Sequence, residues 1–120
     1  MKITKDELRD MLLDGTDVSN IDYSHITDLS YMFKGCFYLK KIPLLDVSHV
    51  ENMASMFEGC SKFNQDISGW DVSNVKDLNS MFSDCHKFNQ NINDWDVSHV
   101  ENMSYMFYGC LKFNQPLDKW

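Results

Sequence analysis

The chain of 120 residues has few basic residues and no long apolar run. Its net charge is −7 at pH 7, whereas nucleic-acid binding needs a basic face that displaces counterions from phosphates, so we expect no direct nucleic-acid binding. No apolar stretch approaches the roughly 20 residues of a membrane span. The N-terminal sequence MKITKDELRD also lacks the apolar core of a signal peptide. We therefore expect no membrane contact and a cytoplasmic location.

Motifs for catalysis and metal binding are lacking as well. No nucleophile, general base and oxyanion donor come together in the sequence, so we expect no enzyme activity and no cofactor. No pair of residues has the short CxxC or HxxxH spacing of a structural zinc site. We expect reduced core thiols at Cys36, Cys60, Cys85 and Cys110, because a buried thiol behaves as a small hydrophobe. Disulfides between neighbouring cysteines remain an alternative.

The chain does contain an internal repeat. From Asp46 onward a 25-residue unit occurs three times, opening with DVSHVENM, DVSNVKDL and DVSHVENM and containing MFxxC, FNQ and a closing Trp. A shorter copy precedes it, from Asp22 to Leu45. Periods of this length indicate a solenoid rather than a single globular core. We predict a single domain, 1–120, with a terminal segment 1–15, a first unit 16–45, and the second, third and fourth units 46–70, 71–95 and 96–120.

The spacing of apolar residues predicts the backbone of a unit. Apolar residues recur at every third position, as at Val72, Val75 and Leu78. Because strand-forming valines come first and helix-tolerant Met and Phe later, the pattern favours a short strand followed by one or two helical turns. One column is predicted to adopt the left-handed conformation that ends these turns: Gly35, Gly59, Asp84 and Gly109.

The residues before the first unit predict an amphipathic helix, Thr4 to Leu13. Thr4 is its N-cap and Glu7 completes a capping box. Gly15 is expected to stop the helix. Because this segment lies outside the repeat, we expect the helix to cover the open side of the first unit.

The unit DVSNVKDLNSMFSDCHKFNQNINDW resembles the 25-residue repeat of the BspA-like leucine-rich-repeat proteins, over roughly Thr16 to Trp120. Those repeats occur in bacterial surface proteins and lipoproteins and in some phage and giant-virus proteins. The resemblance implies a right-handed solenoid and a role as an adhesion or protein-interaction module. With the spacing above, we expect an α/β repeat solenoid, a leucine-rich-repeat-like coil of short strands and short helical turns with an N-terminal capping helix.

Polar residues also recur in fixed columns, and each column has two readings. The aspartates can accept N–H bonds in Asx turns with the Ser two positions on, or form a calcium-binding ladder: Asp22, Asp46, Asp71 and Asp96. The histidines share a column with an asparagine, which favours a common hydrogen-bonding role over a metal pair: His25, His49, Asn74 and His99. The asparagine side chains of the FNQ segments are expected to form hydrogen bonds between units: Asn64, Asn89 and Asn114.

Positions that differ between units indicate a binding surface. The fourth unit presents Tyr105, Tyr108 and Leu111 at three-residue spacing, where other units are mostly polar. No capping helix follows Trp120, so we expect a partner to cover this side of the unit, or an isologous homodimer to form through it. The candidate protein-binding or dimer surface is therefore Tyr105, Tyr108, Leu111 and Trp120, with Tyr31 and Phe37 as secondary candidates.

We therefore expect a non-enzymatic protein–protein interaction module built on a repeat scaffold. One alternative is a small intracellular inhibitor, encoded by a phage or virus, that occupies the basic nucleic-acid-binding site of a host enzyme through its acidic residues. The other alternative is a repeat module that binds calcium or zinc through the Asp or His column.

Overall fold

The computed structural model describes residues 2–120 and contains one helix, α1, at Lys5–Leu13. The N–H of Glu7 donates to Thr4 Oγ1 at 3.1 Å, and the N–H of Thr4 donates to the Glu7 carboxylate at 3.0 Å. The predicted capping box is therefore confirmed. Gly15 follows the helix with a φ of 79°, a left-handed conformation that ends it as expected.

Helix α1 lies against the first unit. The Lys5 ammonium donates to the carbonyl of Ser30 at 2.6 Å, and His25 Nε2 lies 2.8 Å from the carbonyl of Ile3. Leu8 and Leu12 are buried and belong to the same hydrophobic core as the units. The helix thus covers one side of the stack of units.

The units themselves are built of turns, so the predicted α/β repeat solenoid of strands and helical turns is wrong. Residues 14–120 contain no named strand, only isolated parallel bridges at Asp28–Asn52, Asn52–Asp77 and Asp77–Asn102. The reason is a left-handed residue in each MF segment, with φ between 57° and 62°: Tyr31, Ser55, Ser80 and Tyr105. Strands and right-handed helices both need negative φ at every residue, so neither continues through this position.

A second left-handed position in each unit was predicted correctly. Gly35, Gly59, Asp84 and Gly109 have φ between 60° and 78°. Each unit therefore carries two left-handed residues, four positions apart on the chain, and the backbone between them turns repeatedly instead of extending.

The left-handed residues sort the backbone groups of a unit into two sets. Four N–H groups of the third unit donate to carbonyls of the fourth at 2.6–3.0 Å: Leu78 to Asn102, Ser80 to Ser104, Phe82 to Met106 and Asp84 to Tyr108. The N–H groups of Met81, Ser83 and Cys85, which lie between or after them, close turns inside the unit. A parallel strand would both donate and accept along the same edge. Residues 78–84 donate backbone N–H groups to the fourth unit but accept none of its backbone N–H groups, which explains why no strand forms there.

The same row of donors joins the other units. Four N–H groups of the first unit donate to the second, and four of the second donate to the third, at 2.7–3.0 Å. A backbone bond in each pair of units also runs the other way, from Glu51 to Thr27, from Lys76 to Glu51 and from Glu101 to Lys76.

The core consists of columns of stacked aromatic rings. The Phe82 ring lies 5.9 Å from Phe57 and 6.0 Å from Phe107, within 10° of parallel, and 4.1 Å from Phe88 of its own unit. Phe63, Phe88 and Phe113 form a second column with centroids 6.0–6.1 Å apart. The Cα radius of gyration, 13.5 Å, is close to the value of about 14 Å for a globular chain of this length, so the units form a compact body.

We predict that Phe82→Ala lowers the free energy of unfolding by about 3–5 kcal/mol, because the ring is fully buried between rings of both neighbouring units. Phe37→Ala is the matched control, since Phe37 is 64% exposed and its truncation should change stability by less than about 0.5 kcal/mol. Urea denaturation followed by tryptophan fluorescence measures both. Equal midpoints for the two variants would contradict the assignment of Phe82 to the core.

Candidate functional site

The fourth unit carries two exposed tyrosines on one turn and an exposed leucine on the turn that follows. Tyr105, Tyr108 and Leu111 are 70%, 65% and 76% exposed, and we call these three residues the tyrosine patch. The Tyr105 and Tyr108 rings meet edge to face, with centroids 6.1 Å apart and planes at 79°. The N–H of Tyr108 donates to the carbonyl of Tyr105 at 3.1 Å, so a closed turn holds the pair together. The sequence correctly identified these residues as exposed.

Trp120, the fourth residue of the predicted surface, lies apart from the tyrosine patch. Its ring stacks on Trp95 at 6.5 Å and lies tilted against Phe107 at 6.0 Å, and its Nε1–H donates to the carbonyl of Ile92 at 3.0 Å. It is partly buried. Trp120 therefore continues an aromatic column of the core. It differs from the tyrosine patch, whose side chains are mostly exposed, because only part of its ring is accessible.

The secondary candidates are exposed in the first unit. Tyr31 is 59% and Phe37 is 64% exposed, and the Lys34 ammonium lies 5.4 Å from the Tyr31 ring centroid. Phe37 packs edge to face on Tyr38, which the sequence argument overlooked. Ser55 and Ser80 separate Tyr31 from Tyr105 in the repeat column, so the two groups do not form one surface.

A row of backbone donors in the fourth unit is the feature that the sequence did not reveal. We call this row the donor edge: the N–H groups of Met103, Tyr105, Phe107 and Gly109. They are equivalent to the donating N–H groups of Leu78, Ser80, Phe82 and Asp84. None of the four has an acceptor among residues 2–120. Because Tyr105 belongs both to this row and to the tyrosine patch, the two features are adjacent.

The aspartate column forms Asx turns, as one of the two readings proposed. The N–H groups of Ser48, Ser73 and Ser98 donate to the carboxylates of the aspartates two positions earlier at 2.9–3.0 Å. Hydrogen bonds from the Ser73 hydroxyl and then its N–H lower the pKa of Asp71, while the carboxylates of Asp46 and Asp96 oppose the shift. The residues are exposed, and their carboxylates are already used in these turns.

The histidine and asparagine columns bond between units. Asn74 Nδ2 donates to the carbonyl of Ser48 at 2.7 Å, and His99 Nδ1 lies 3.0 Å from the carbonyl of Ser73. This equivalence confirms the predicted common role for these two residues. Asn89 accepts the N–H of Asn114 at 2.9 Å, which confirms the predicted amide ladder. Residues 2–120 contain no group of three or more His, Cys, Asp or Glu side chains placed to bind a metal ion.

The cysteines are free thiols that differ in burial. Cys60, Cys85 and Cys110 each donate Sγ–H to a carbonyl of the preceding unit at 2.9–3.0 Å. Burial raises the pKa of Cys60 to about 12 and that of Cys110 to about 11, and it also raises the pKa of Cys85. The expected buried position is confirmed for three of the thiols, Cys36, Cys60 and Cys85. Cys110 is only partly buried.

The chain belongs to the family described as "Mycoplasma protein of unknown function, DUF285", whose match covers residues 6–120. No curated protein and no solved structure matches the chain. The nine residues of α1 fall well short of the roughly 20 apolar residues of a membrane span, and residues 2–120 contain no helix that could cross a bilayer.

We predict that Cys110 reacts with a thiol reagent at pH 8 faster than Cys60 and Cys85. Its side chain is more accessible and its pKa is raised less, and the thiolate is the reactive species. Mass spectrometry of partly alkylated protein measures the order of reaction. Cys110→Ser is the control that should remove the fast phase. A fast phase that persists in this variant would contradict the predicted order.

We also predict that stability falls in acid because of the Asx turns. The pKa values of Asp46, Asp71 and Asp96 are lowered, so their contribution is present above the unfolded pKa of about 3.9 and is lost as pH falls through the folded values. Asp71→Asn keeps a side-chain acceptor for the Ser73 N–H but cannot titrate. Its loss of stability between pH 7 and pH 2 should therefore be smaller than that of the unmodified protein.

Urea midpoints at the two pH values measure this difference. Asp10→Asn, on α1 and outside the turns, removes the same charge and serves as the control. If both variants show the same pH dependence, the Asp71 turn is not a source of acid lability.

Proposed function

We propose that the protein is a non-enzymatic protein-interaction module and that the tyrosine patch is its contact surface. The observation that carries this proposal is the exposure of two tyrosines on one turn and of a leucine on the turn that follows. Tyrosine is enriched in protein interfaces, where it contributes a large contact area with few rotatable bonds. The Tyr105–Tyr108 contact limits the freedom of both rings further, which reduces the entropy lost on binding.

Comparison between units supports this choice of surface. The position of Tyr105 is Ser in the second and third units, and the position of Tyr108 is Glu58 or Ser83. The position of Leu111 is Ser61 or His86. Apolar groups therefore replace polar ones at three positions of the same unit. Exposed apolar groups that gather in this way mark interaction sites more often than scattered ones do.

The repeat motifs support the same class of function. MFxxC, FNQ and the closing Trp are similar to those of BspA-like proteins, which are mostly described as adhesion or interaction modules. We propose this narrower relationship in addition to the family membership stated above. The net charge of −7 favours fast association with a partner of positive net charge.

We predict that Tyr108→Glu combined with Leu111→Glu weakens capture of a partner from an extract of the source cells by at least about tenfold, which is about 1.4 kcal/mol. Tyr31→Glu combined with Phe37→Glu is the matched control, because those side chains are similarly exposed in the first unit. Quantitative affinity capture with melting curves on all variants provides the measurement. Equal loss in both double variants, or loss in neither, would contradict the assignment to the tyrosine patch.

A further inference from the structure

We infer that a row of lysines, one from each of the second, third and fourth units, binds an extended acidic segment of a partner protein. We call it the lysine row: Lys62, Lys87 and Lys112. The segment carries an acidic residue at every second position, so its carboxylates lie on one side and meet one lysine each. This contact goes beyond the proposed function, because it uses none of the residues of the tyrosine patch.

The lysine row lies on a strip of the surface that contains no acidic residue. Each unit contributes one short segment to this strip: 36–41, 60–65, 85–90 and 110–115. The four segments hold five of the 11 basic residues of the chain and none of its 18 acidic residues. The strip is therefore positive, although the chain as a whole has a net charge of −7.

Hydrogen bonds between units hold these segments side by side. The Ser61 hydroxyl donates to the Phe37 carbonyl at 3.5 Å, and the Asn89 N–H donates to Asn64 Oδ1 at 2.9 Å. Each lysine of the row directly precedes a ring of the second aromatic column, whose centroids are 6.0–6.1 Å apart. The backbones of neighbouring lysines are therefore also about 6 Å apart.

The lysines of the row have no charged partner within the described chain. All three are exposed, and none forms an ion pair among residues 2–120. Four other lysines are paired with carboxylates, among them Lys34 with Glu58 at 3.6 Å and Lys76 with Glu51 at 3.4 Å. Two members of the row are exposed although a further unit follows each of them, so this availability belongs to the middle of the stack.

The lysine row is a set of like charges that the chain itself does not balance. In the aspartate column, Asx turns supply an N–H group to each carboxylate. The ammonium groups of the row have no comparable partner. A ligand with carboxylates at the same spacing would offset their repulsion at every position. Because a single exposed ion pair contributes little, binding depends on several pairs that form in register.

An extended peptide matches the row in both spacing and length. Side chains on one face of a strand recur at every second residue, about 6.4–6.8 Å apart, and flexible lysine side chains span the remaining difference. Exposed charges interact mainly within about 8 Å at physiological salt, so a short acidic segment interacts mainly with the strip. A long polyanion would continue past the strip onto acidic surface. The acidic peptide is therefore the better fit.

NMR titration of the full chain tests the inference. The probe is a synthetic peptide of seven residues in which Glu alternates with Thr. At about 20 mM salt it should shift the amide signals of residues 60–63 and 85–88, and about 500 mM salt should abolish these shifts because exposed charges are screened. A peptide of the same composition with its four Glu in one block should bind at least about threefold more weakly, because only half of its carboxylates face the row.

Two matched double variants test the residues. Lys62→Gln combined with Lys87→Gln removes two charges of the row and should weaken binding of the alternating peptide by at least about fivefold. Lys34→Gln combined with Lys76→Gln removes the same net charge from lysines that are already paired, and it should change the affinity by less than about twofold. Equal effects of the two double variants, or equal binding of the two peptides, would overturn the inference.

The remaining outcomes are also decisive. If millimolar alternating peptide shifts no signal of the lysine row, the inference fails. A thymidine oligonucleotide or vesicles of anionic lipid that bind the row at least as tightly as the peptide would assign it to phosphate groups, again against the inference. If the tyrosine patch captures a partner while the lysine row binds no peptide, the proposed function stands and only this inference fails.

Discussion

The row of four N–H groups that each unit donates to the next unit is the interaction on which the rest of the structure depends. It requires a left-handed residue in the MF segment, and at Ser55 or Ser80 this conformation is unfavourable by about 1–2 kcal/mol. Four interunit hydrogen bonds accompany each such residue, and each contributes about 0.5–1.5 kcal/mol. The gain outweighs the strain wherever a neighbouring unit is present. Stacking therefore stabilises the conformation that makes stacking possible.

Because each row of four N–H donors points toward the next unit, the two sides of the stack differ in this part of their backbone. The side of the first unit presents carbonyls and is covered by α1, whose Lys5 supplies a donor. The side of the fourth unit presents N–H donors, next to exposed tyrosines. Bonds in the opposite direction also join the units, such as those from the Glu101 N–H to the Lys76 carbonyl and from Cys110 Sγ–H to the Phe82 carbonyl. The two sides therefore differ in the arrangement of their donors and acceptors, and each contact between units uses both kinds of group.

Features that depend on residue type could be predicted from the sequence, and those that depend on backbone direction could not. The capping box at Thr4 and Glu7, the left-handed Gly35 and the Asx turn at Asp71 all follow from local chemistry. The left-handed Ser80 does not, since serine has no special preference for positive φ. Apolar residues at every third position fit a series of turns as well as a strand and a helical turn. The donor edge therefore had no signal in the sequence.

The tyrosine column shows why the fourth unit is the better candidate site than the first. Tyrosine occupies the left-handed position at Tyr31 and Tyr105 only, while the units between have serine. The two tyrosines have unlike surroundings. Tyr31 lies beside Lys34 and lines a groove with Lys5 and Arg9 of α1, so its side of the stack is already occupied. Tyr105 contacts Tyr108 and adjoins four N–H groups without acceptors among residues 2–120, so only there do exposed rings and available hydrogen bonds coincide.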